Sequence, residues 1–135
     1  MIEPLLADAI ADTDSGKLCM GAVYRVETSF KVYRVWNSEK DYTQRGTWWS
    51  LDRPVGPRET YRRDNAICED WSLLDRLVVC NIQVGAGFVM GPGQSVACKV
   101  GDSHPKSAVN QVYIANDGRN DRYFVESCEV LGAWP

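Results

Sequence analysis

Arg34, Ser50 and Gln111 are the residues of this chain whose types and settings are suited to chemistry, because each lies in an otherwise apolar stretch typical of a β-strand. Desolvating a charge or an amide without a partner costs several kcal/mol, so each of these side chains needs a polar environment. One explanation is that each faces water on an edge strand. The other is that the three converge on a polar ligand in one cleft.

Other common catalytic arrangements find little support in the sequence. The single histidine, His104, lies in the turn-like context Asp102-Ser103-His104-Pro105, and adjacent loop residues seldom give the geometry of a Ser-His-Asp triad. The glycines at 85 and 87 lack the third glycine and the following helix of a dinucleotide-binding fingerprint. The five cysteines include no C-x-x-C pair, so no metal site is expected.

The cysteines are spread out and odd in number, which favours buried thiols in a reducing compartment. The alternative is one disulfide, from Cys80 to Cys98 across adjoining strands.

Length and composition indicate one soluble globular domain. The chain has 135 residues, of which 44% are hydrophobic and 24% charged, and this balance excludes a disordered chain. No stretch approaches the roughly 18 apolar residues of a membrane-spanning helix. The apolar run from Pro4 to Ile10 is broken by Asp8 and has no basic flank, so we do not expect a signal peptide. A net charge of −3 argues against a nucleic-acid partner and against binding to a membrane surface.

The residue pattern predicts an N-terminal helical arm over residues 1–16 and a single catalytic α+β domain over residues 17–135. A helix is predicted from Pro4 to Ile10, and the main helix from Arg58 to Cys68 or as far as Leu74, with Tyr61 and Asn65 on one face. Strands are predicted at 18–27, 31–36, 46–50, 77–84, 96–100, 109–115 and 123–131. The segment 85–93, with four glycines and a proline, predicts turns or bulges.

The order of three motifs resembles that of toxin domains with the ADP-ribosyltransferase-like fold. The motifs are Val32-Tyr33-Arg34-Val35-Trp36, then Gly46-Thr47-Trp48-Trp49-Ser50, and finally Asn110-Gln111-Val112-Tyr113-Ile114. A Pro-rich turn and a helix follow the second motif, and Gly91-Pro92-Gly93-Gln94 precedes the third. The resemblance covers about residues 31–130 and is nearest to the secreted bacterial NAD glycohydrolases that use an Arg and a Gln. It implies split antiparallel or mixed β-sheets with one main helix.

The resemblance implies that NAD is the substrate and that no metal takes part. Arg34 would bind the pyrophosphate, and Ser50 would hydrogen-bond near the nicotinamide ribose. Gln111 would hold the ribose 2′-OH while the bond to nicotinamide breaks. These three are the expected catalytic residues.

The expected NAD-binding set also includes aromatic side chains. Trp48 or Trp49 would stack on the nicotinamide ring, and Tyr33 would join Arg34 and Ser50 in contacting the cofactor. Adjacent strand residues face opposite ways, so one of the two tryptophans is expected in the core. Trp71 is expected to pack the main helix onto the sheet.

Two departures from the resemblance bear on the reaction. Val109 stands where members that modify arginine carry the first residue of a Glu-x-Glu pair, so hydrolysis of NAD is the simpler expectation and transfer of ADP-ribose stays open. The segment 23–26 echoes 32–35, which makes Arg25 the other candidate for the strand arginine; Trp36 after Arg34 favours Arg34.

A toxin of this kind implies a cognate immunity or antitoxin protein. It would act in the cytoplasm of the producer or of a target cell, the latter after secretion as an effector. Two other classes remain open. One is a non-catalytic, small β-rich ligand-binding or interaction protein that holds an apolar or cationic ligand with its tryptophans. The other is a ribonuclease that uses His104 and an arginine.

Overall fold

The computed structural model describes residues 2–11, 15–40, 44–54, 58–65, 67–68, 71, 74–99, 103–117 and 120–133. Within these ranges the chain forms two antiparallel β-sheets and two short helices. The elements are α1 (Ile2–Ala9), β1 (Ala22–Arg25), β2 (Lys31–Trp36), β3 (Trp48–Trp49), α2 (Arg58–Asp64), β4 (Arg76–Ile82), β5 (Gly87–Gly93), β6 (Ser107–Tyr113) and β7 (Val125–Ala133).

The two sheets meet along one edge of each. The first sheet has the strand order β1-β5-β6-β3 and the second has the order β2-β4-β7. Tyr33 in β2 and Ser50, which directly follows β3, exchange backbone hydrogen bonds of 2.9 and 2.8 Å. This junction places the arginine of β2 beside the tryptophans of β3.

The core lies between the sheets. Alternate side chains of β2 and β4 point into it from one side, including the fully buried Val32 and Val78. Val112 and Ile114, in and just after β6, meet them from the other sheet. Burial of these β-branched side chains is the main favourable term in folding.

The prediction of split antiparallel or mixed β-sheets is confirmed in its antiparallel form, as two sheets, but the helix content is lower than an α+β domain with one main helix implies. The helices have 8 and 7 residues, so the fold is mostly β. The main helix ends at Asp64, before the predicted Cys68, and the backbone N–H of Ile67 closes the turn on the carbonyl of Arg62 at 2.9 Å. Arg62 is 7% exposed and its Nη1 donates to the carbonyl of Cys68, so it does not lie on a solvated helix face.

The prediction of turns or bulges over residues 85–93 is correct only at the two ends of the segment, where Gly85 lies in a turn with a φ of +88° and the strand register shifts between Pro92 and Gly93. The rest of the prediction is wrong, because Gly87–Gly93 is strand β5, in the interior of the first sheet. Gly91 allows a close approach of the backbone at Met20. A Cβ on Gly91 would lie 2.0 Å from the carbonyl oxygen of Met20, so no other residue fits at that point of the strand. The strand predicted over 96–100 is observed only as a β-bridge at Val96, and Val100 lies outside the described residues. The Pro-rich turn predicted at 55–57 also lies outside the described residues.

Helix α1 packs on the outer face of the first sheet. Ala9 and Leu18 are fully buried there with Val89 of β5, and Leu5 and Leu6 pack against them. The residues assigned to an N-terminal arm are therefore in contact with the sheet, and the domain boundary at residue 16 stays a prediction.

The expectation of five reduced thiols is wrong, and so is the Cys80–Cys98 pairing. Cys68 is bonded to Cys98 and Cys80 to Cys128, while Cys19 is free. Cys80 lies on β4, whose neighbour is β7, whereas Cys98 follows β5 of the other sheet. Disulfides are commoner in oxidising compartments than in the cytoplasm. No helix among the described residues is long and apolar enough to span a membrane.

Candidate functional site

A cavity of about 310 Å³, here called the first cavity, opens where β2, β3, α2 and β6 meet. Its lining combines residues of both sheets with Tyr61 of α2 and residues of two loops. They are Ser15, Lys17, Arg34, Val35, Trp48, Trp49, Tyr61, Asn65, Ile67, Trp71, Leu74 and Gln111.

The first cavity brings together four of the residues singled out from the sequence. Arg34, Trp48, Trp49 and Gln111 all line it, although they come from three different strands. Ser50 lines a second cavity of about 480 Å³, which shares Tyr61 and Asn65 with the first. Tyr33 lines neither cavity and packs instead against the small cluster of Val35, Leu74 and Leu77.

Arg34 is oriented by the start of β3. Its Nη1 donates a 3.0 Å hydrogen bond to the carbonyl of Trp48, and its guanidinium lies against Gly46. Desolvation by burial lowers the pKa of Arg34, and the nearby Tyr61 opposes this shift. An arginine side chain keeps its proton in proteins, so the cavity contains a permanent and partly desolvated cation.

Gln111 presents a buried side-chain donor that no described residue accepts from. The residue is 3% exposed, and its Nε2 has no hydrogen-bond partner among the described residues. A buried polar group left without a partner costs about 1–3 kcal/mol. Such a group at the wall of a cavity can be satisfied by a water molecule or by a ligand that accepts its hydrogen bond.

The two adjacent tryptophans divide as strand alternation predicts. Trp49 is 2% exposed, belongs to the core between the sheets and donates from Nε1 to the carbonyl of Gly46 at 2.9 Å. Trp48 lies on the other face, where its ring centroid is 5.0 Å from that of Tyr113. Both residues line the first cavity.

Tyr61 of α2 lies between the two cavities. Its hydroxyl hydrogen-bonds with the Ser50 side chain and with the backbone of Val35. Burial raises the pKa of Tyr61, while the charge of Arg34 and these hydrogen bonds oppose the rise. Ser50 therefore holds a residue of the first cavity in place instead of lining that cavity itself.

Sequence reasoning missed Lys17, Tyr61 and Trp71 as lining residues. The i, i+4 spacing of Tyr61 and Asn65 on a helix face was the available signal for Tyr61. Trp71 does not pack the helix onto the sheet as predicted, since it is 50% exposed at the edge of the cavity. No local pattern distinguished Lys17, which lies between α1 and β1.

His104 is outside this site. It forms a backbone bridge with Val96 and lines neither of these two cavities. Among the described residues, no group of three or more His, Cys, Asp or Glu side chains is placed to hold a metal ion.

Comparison of the chain with known protein families, with curated proteins and with solved structures found no match. The assignment to the ADP-ribosyltransferase-like fold therefore stays a prediction.

Proposed function

We propose that this protein cleaves the bond between nicotinamide and ribose in NAD, with water as the simplest acceptor. The composition of the first cavity is the observation that supports this most directly. Its described lining offers two cations, four aromatic rings and one unused amide donor, and includes no carboxylate. These residues are Lys17, Arg34, Trp48, Trp49, Tyr61, Trp71 and Gln111.

Such a lining suits an aromatic anion. Two cations without a carboxylate attract phosphate, and the planar guanidinium of Arg34 offers paired donors to phosphate oxygens. Tryptophan faces stack on flat heteroaromatic rings, and they also attract a cationic ring such as oxidised nicotinamide. NAD contains both groups in one molecule.

The reaction asks little acid–base chemistry of the protein. The nicotinamide ring is cationic while it is bonded to the ribose and becomes a neutral molecule when that bond breaks. Its departure therefore needs no proton donor. Water then adds to C1′ of the ribose and loses a proton to solvent, giving ADP-ribose, nicotinamide and H⁺. The protein has to orient the dinucleotide and stabilise the positive charge that develops at C1′.

Gln111 is the residue to which we assign the ribose contact. A side-chain amide both donates and accepts hydrogen bonds, so it can hold a ribose hydroxyl while the sugar becomes oxocarbenium-like. Arg34 holds the pyrophosphate, and Ser50 acts through Tyr61 by fixing the hydroxyl of that side chain. A transferase that passes ADP-ribose to another acceptor would use the same groups.

The second candidate is a protein that binds an aromatic ligand without reaction. It is favoured by the absence of any carboxylate or histidine from the described lining of the first cavity, since these residues are the usual general bases. This candidate predicts NAD binding without nicotinamide release.

The deciding experiment measures nicotinamide release from NAD by the purified chain without an added acceptor. We expect release that is lost in Arg34→Ala and Gln111→Ala and kept in the control Arg25→Ala, because Arg25 is exposed and lines neither cavity. Unchanged turnover in a folded Gln111→Ala variant would contradict the role given to that residue. Binding without release identifies the second candidate.

A toxin role extends the proposal to the cell. Expression in a bacterial cytoplasm should then drain NAD and slow growth, and a cognate immunity protein should prevent this by blocking the first cavity. The two disulfides suit a chain that crosses an oxidising compartment as a secreted effector does.

A further inference from the structure

We propose that Lys17 is a second phosphate-binding cation, which together with Arg34 recognises the diphosphate of a dinucleotide in the first cavity. Both residues line that cavity, but they reach it from different parts of the fold. Arg34 comes from β2, and Lys17 from the segment between α1 and β1. The identity of the ligand rests on the proposed function; the place of both residues in the lining of one cavity does not.

The backbone at Lys17 is held on both sides. The N–H of Gly16 donates to the carbonyl of Ser95 at 2.9 Å, and the N–H of Gln94 donates to the carbonyl of Lys17 at 2.8 Å. The N–H of Leu18 donates to the carbonyl of Ala9 at 3.0 Å. The long cationic side chain of Lys17 therefore extends from a backbone segment that is held in place by hydrogen bonds.

Lys17 occupies this position despite backbone strain. Its φ is +60°, in the left-handed region that glycine adopts easily and other residues adopt at a cost of about 1–2 kcal/mol. Strained non-glycine residues of this kind cluster at ligand sites. Backbone geometry therefore does not itself favour a lysine at this position.

No carboxylate in the described part of the chain neutralises the positive charge of Lys17. Its Nζ donates to the backbone carbonyl of Asp8 at 2.9 Å, and no described carboxylate forms an ion pair with it. An ammonium group has three donors, so two remain for a ligand. A backbone carbonyl orients the group but does not cancel its charge.

A diphosphate matches this pair of cations. It has two adjacent anionic phosphates, and each can meet one cation. Arg34 supplies a planar fork with fixed geometry, whereas Lys17 supplies a compact charge on a flexible stem. The pair should therefore favour ligands with two linked phosphates over those with one, and NAD over nicotinamide mononucleotide.

The test uses ADP-ribose, which has both phosphates but no nicotinamide and so cannot turn over. Its binding to the intact chain is followed by tryptophan fluorescence, because three tryptophans line the cavity. We expect Lys17→Gln to weaken ADP-ribose binding about tenfold and Lys17→Arg to restore most of it. Adenosine, which has no phosphate, should bind wild type and Lys17→Gln equally.

Lys31→Gln is the matched control, since Lys31 is exposed on β2 and lines neither cavity. It should bind ADP-ribose as the wild type does. Equal ADP-ribose affinity of wild type and folded Lys17→Gln overturns the proposal, and so does a wild type that fails to bind ADP-ribose.

Nicotinamide release by the same variants separates this inference from the proposed function. If ADP-ribose binding depends on Lys17 but the wild type releases no nicotinamide, the result supports the diphosphate site and contradicts the proposed enzymatic function. Release with a KM for NAD that Lys17→Gln leaves unchanged supports the enzyme and refutes the diphosphate site.

Discussion

The guanidinium of Arg34 lies directly against Gly46, so that a Cβ on residue 46 would stand 2.5 Å from Nη2 of the arginine. Gly46 also holds two neighbouring side chains. Its carbonyl accepts hydrogen bonds from Nε1 of Trp49 and Nδ2 of Asn116, both at 2.9 Å. The orientation of the arginine thus depends on an absent side chain. This makes Gly46 a positioning residue that needs no contact with the ligand.

Gly46→Ala should displace Arg34 while leaving the fold intact. The atoms that a Cβ would strike are the far end of a flexible side chain, which moves at little cost in stability. We expect kcat/KM for NAD to fall about tenfold, mainly through KM, because the arginine loses its orientation toward phosphate. Gly87→Ala is the control, since its new Cβ would make only an ordinary 3.4 Å contact with Leu5. Equal loss in both variants would contradict the positioning role.

Arg34→Lys should keep the charge and lose the function. A lysine cannot reproduce the bidentate fork of a guanidinium or its hydrogen bond to the carbonyl of Trp48. We expect NAD turnover to fall about a hundredfold, measured as kcat/KM for nicotinamide release. Arg25→Lys on the exposed face of β1 should have no effect, and the reverse result would assign the reaction to Arg25.

Strand β2 was predicted with its observed limits because its formation follows from the residue types within the strand itself. Lys31–Trp36 alternates side chains between the core and the other face, and it is rich in residues that favour strands. Strand β5 was missed because Gly91, one of its glycines, is required by a close contact with Met20, about seventy residues away along the chain. Local propensity contains no information on such an approach.

The same division holds for the candidate site. Four lining residues were predictable because a polar or aromatic residue within a strand can be recognised from its immediate neighbours in the sequence. They are Arg34, Trp48, Trp49 and Gln111. Lys17 and Trp71 lie in loops, and the course of a loop cannot be predicted from the periodicity of the sequence. The pairing of Cys80 with Cys128 likewise depends on the strand order β2-β4-β7, and sequence spacing does not determine that order.

Gln111→Met should separate stability from activity. The change removes a buried amide nitrogen without a partner among the described residues, so the free energy of unfolding should stay the same or rise by about 1 kcal/mol. NAD turnover should be lost at the same time, as is common for residues kept for function. Urea unfolding and nicotinamide release measure the two effects.

Gln94→Met is the matched control for that prediction. Gln94 is also buried, but its Nε2 donates to the carbonyl of Ala11 and its Oε1 accepts from the N–H of Ser95. Its replacement should lower the free energy of unfolding by about 1–3 kcal/mol. A larger loss of stability in Gln111→Met than in Gln94→Met would show that the amide of Gln111 has a structural role.

The Cys68–Cys98 disulfide should control the edge of the first cavity. Trp71 donates its backbone N–H to the carbonyl of Cys68 at 3.1 Å, and Ile67 precedes that cysteine, so the bridge holds two lining residues. A Cys68→Ala/Cys98→Ala variant should lose about 3–4 kcal/mol of stability and bind ADP-ribose more weakly. Fluorescence titration and urea unfolding give the two values.

The second disulfide provides the comparison. Cys80 and Cys128 join β4 to β7 and line neither cavity. A Cys80→Ala/Cys128→Ala variant should lose about 4 kcal/mol of stability yet bind ADP-ribose with unchanged affinity while folded. If both double variants weaken binding equally, the effect is one of general stability and the first bridge has no special role at the cavity.

Asp75 should give the protein a component of stability that disappears in acid. Desolvation raises the pKa of this carboxyl, but hydrogen bonds from the hydroxyl and N–H of Ser38 and the charge of Arg76 outweigh it and hold the pKa below its ordinary value of 3.8. The folded state thus favours the carboxylate, so its contribution is complete above pH 3.8 and is lost as the pH falls through the lower, folded-state pKa. Asp75→Asn should therefore lower the free energy of unfolding by about 1 kcal/mol at neutral pH and have little effect in strong acid. Urea unfolding of both proteins across the acid range tests this, with the exposed Asp52→Asn as control, and a difference that does not change with pH would contradict it.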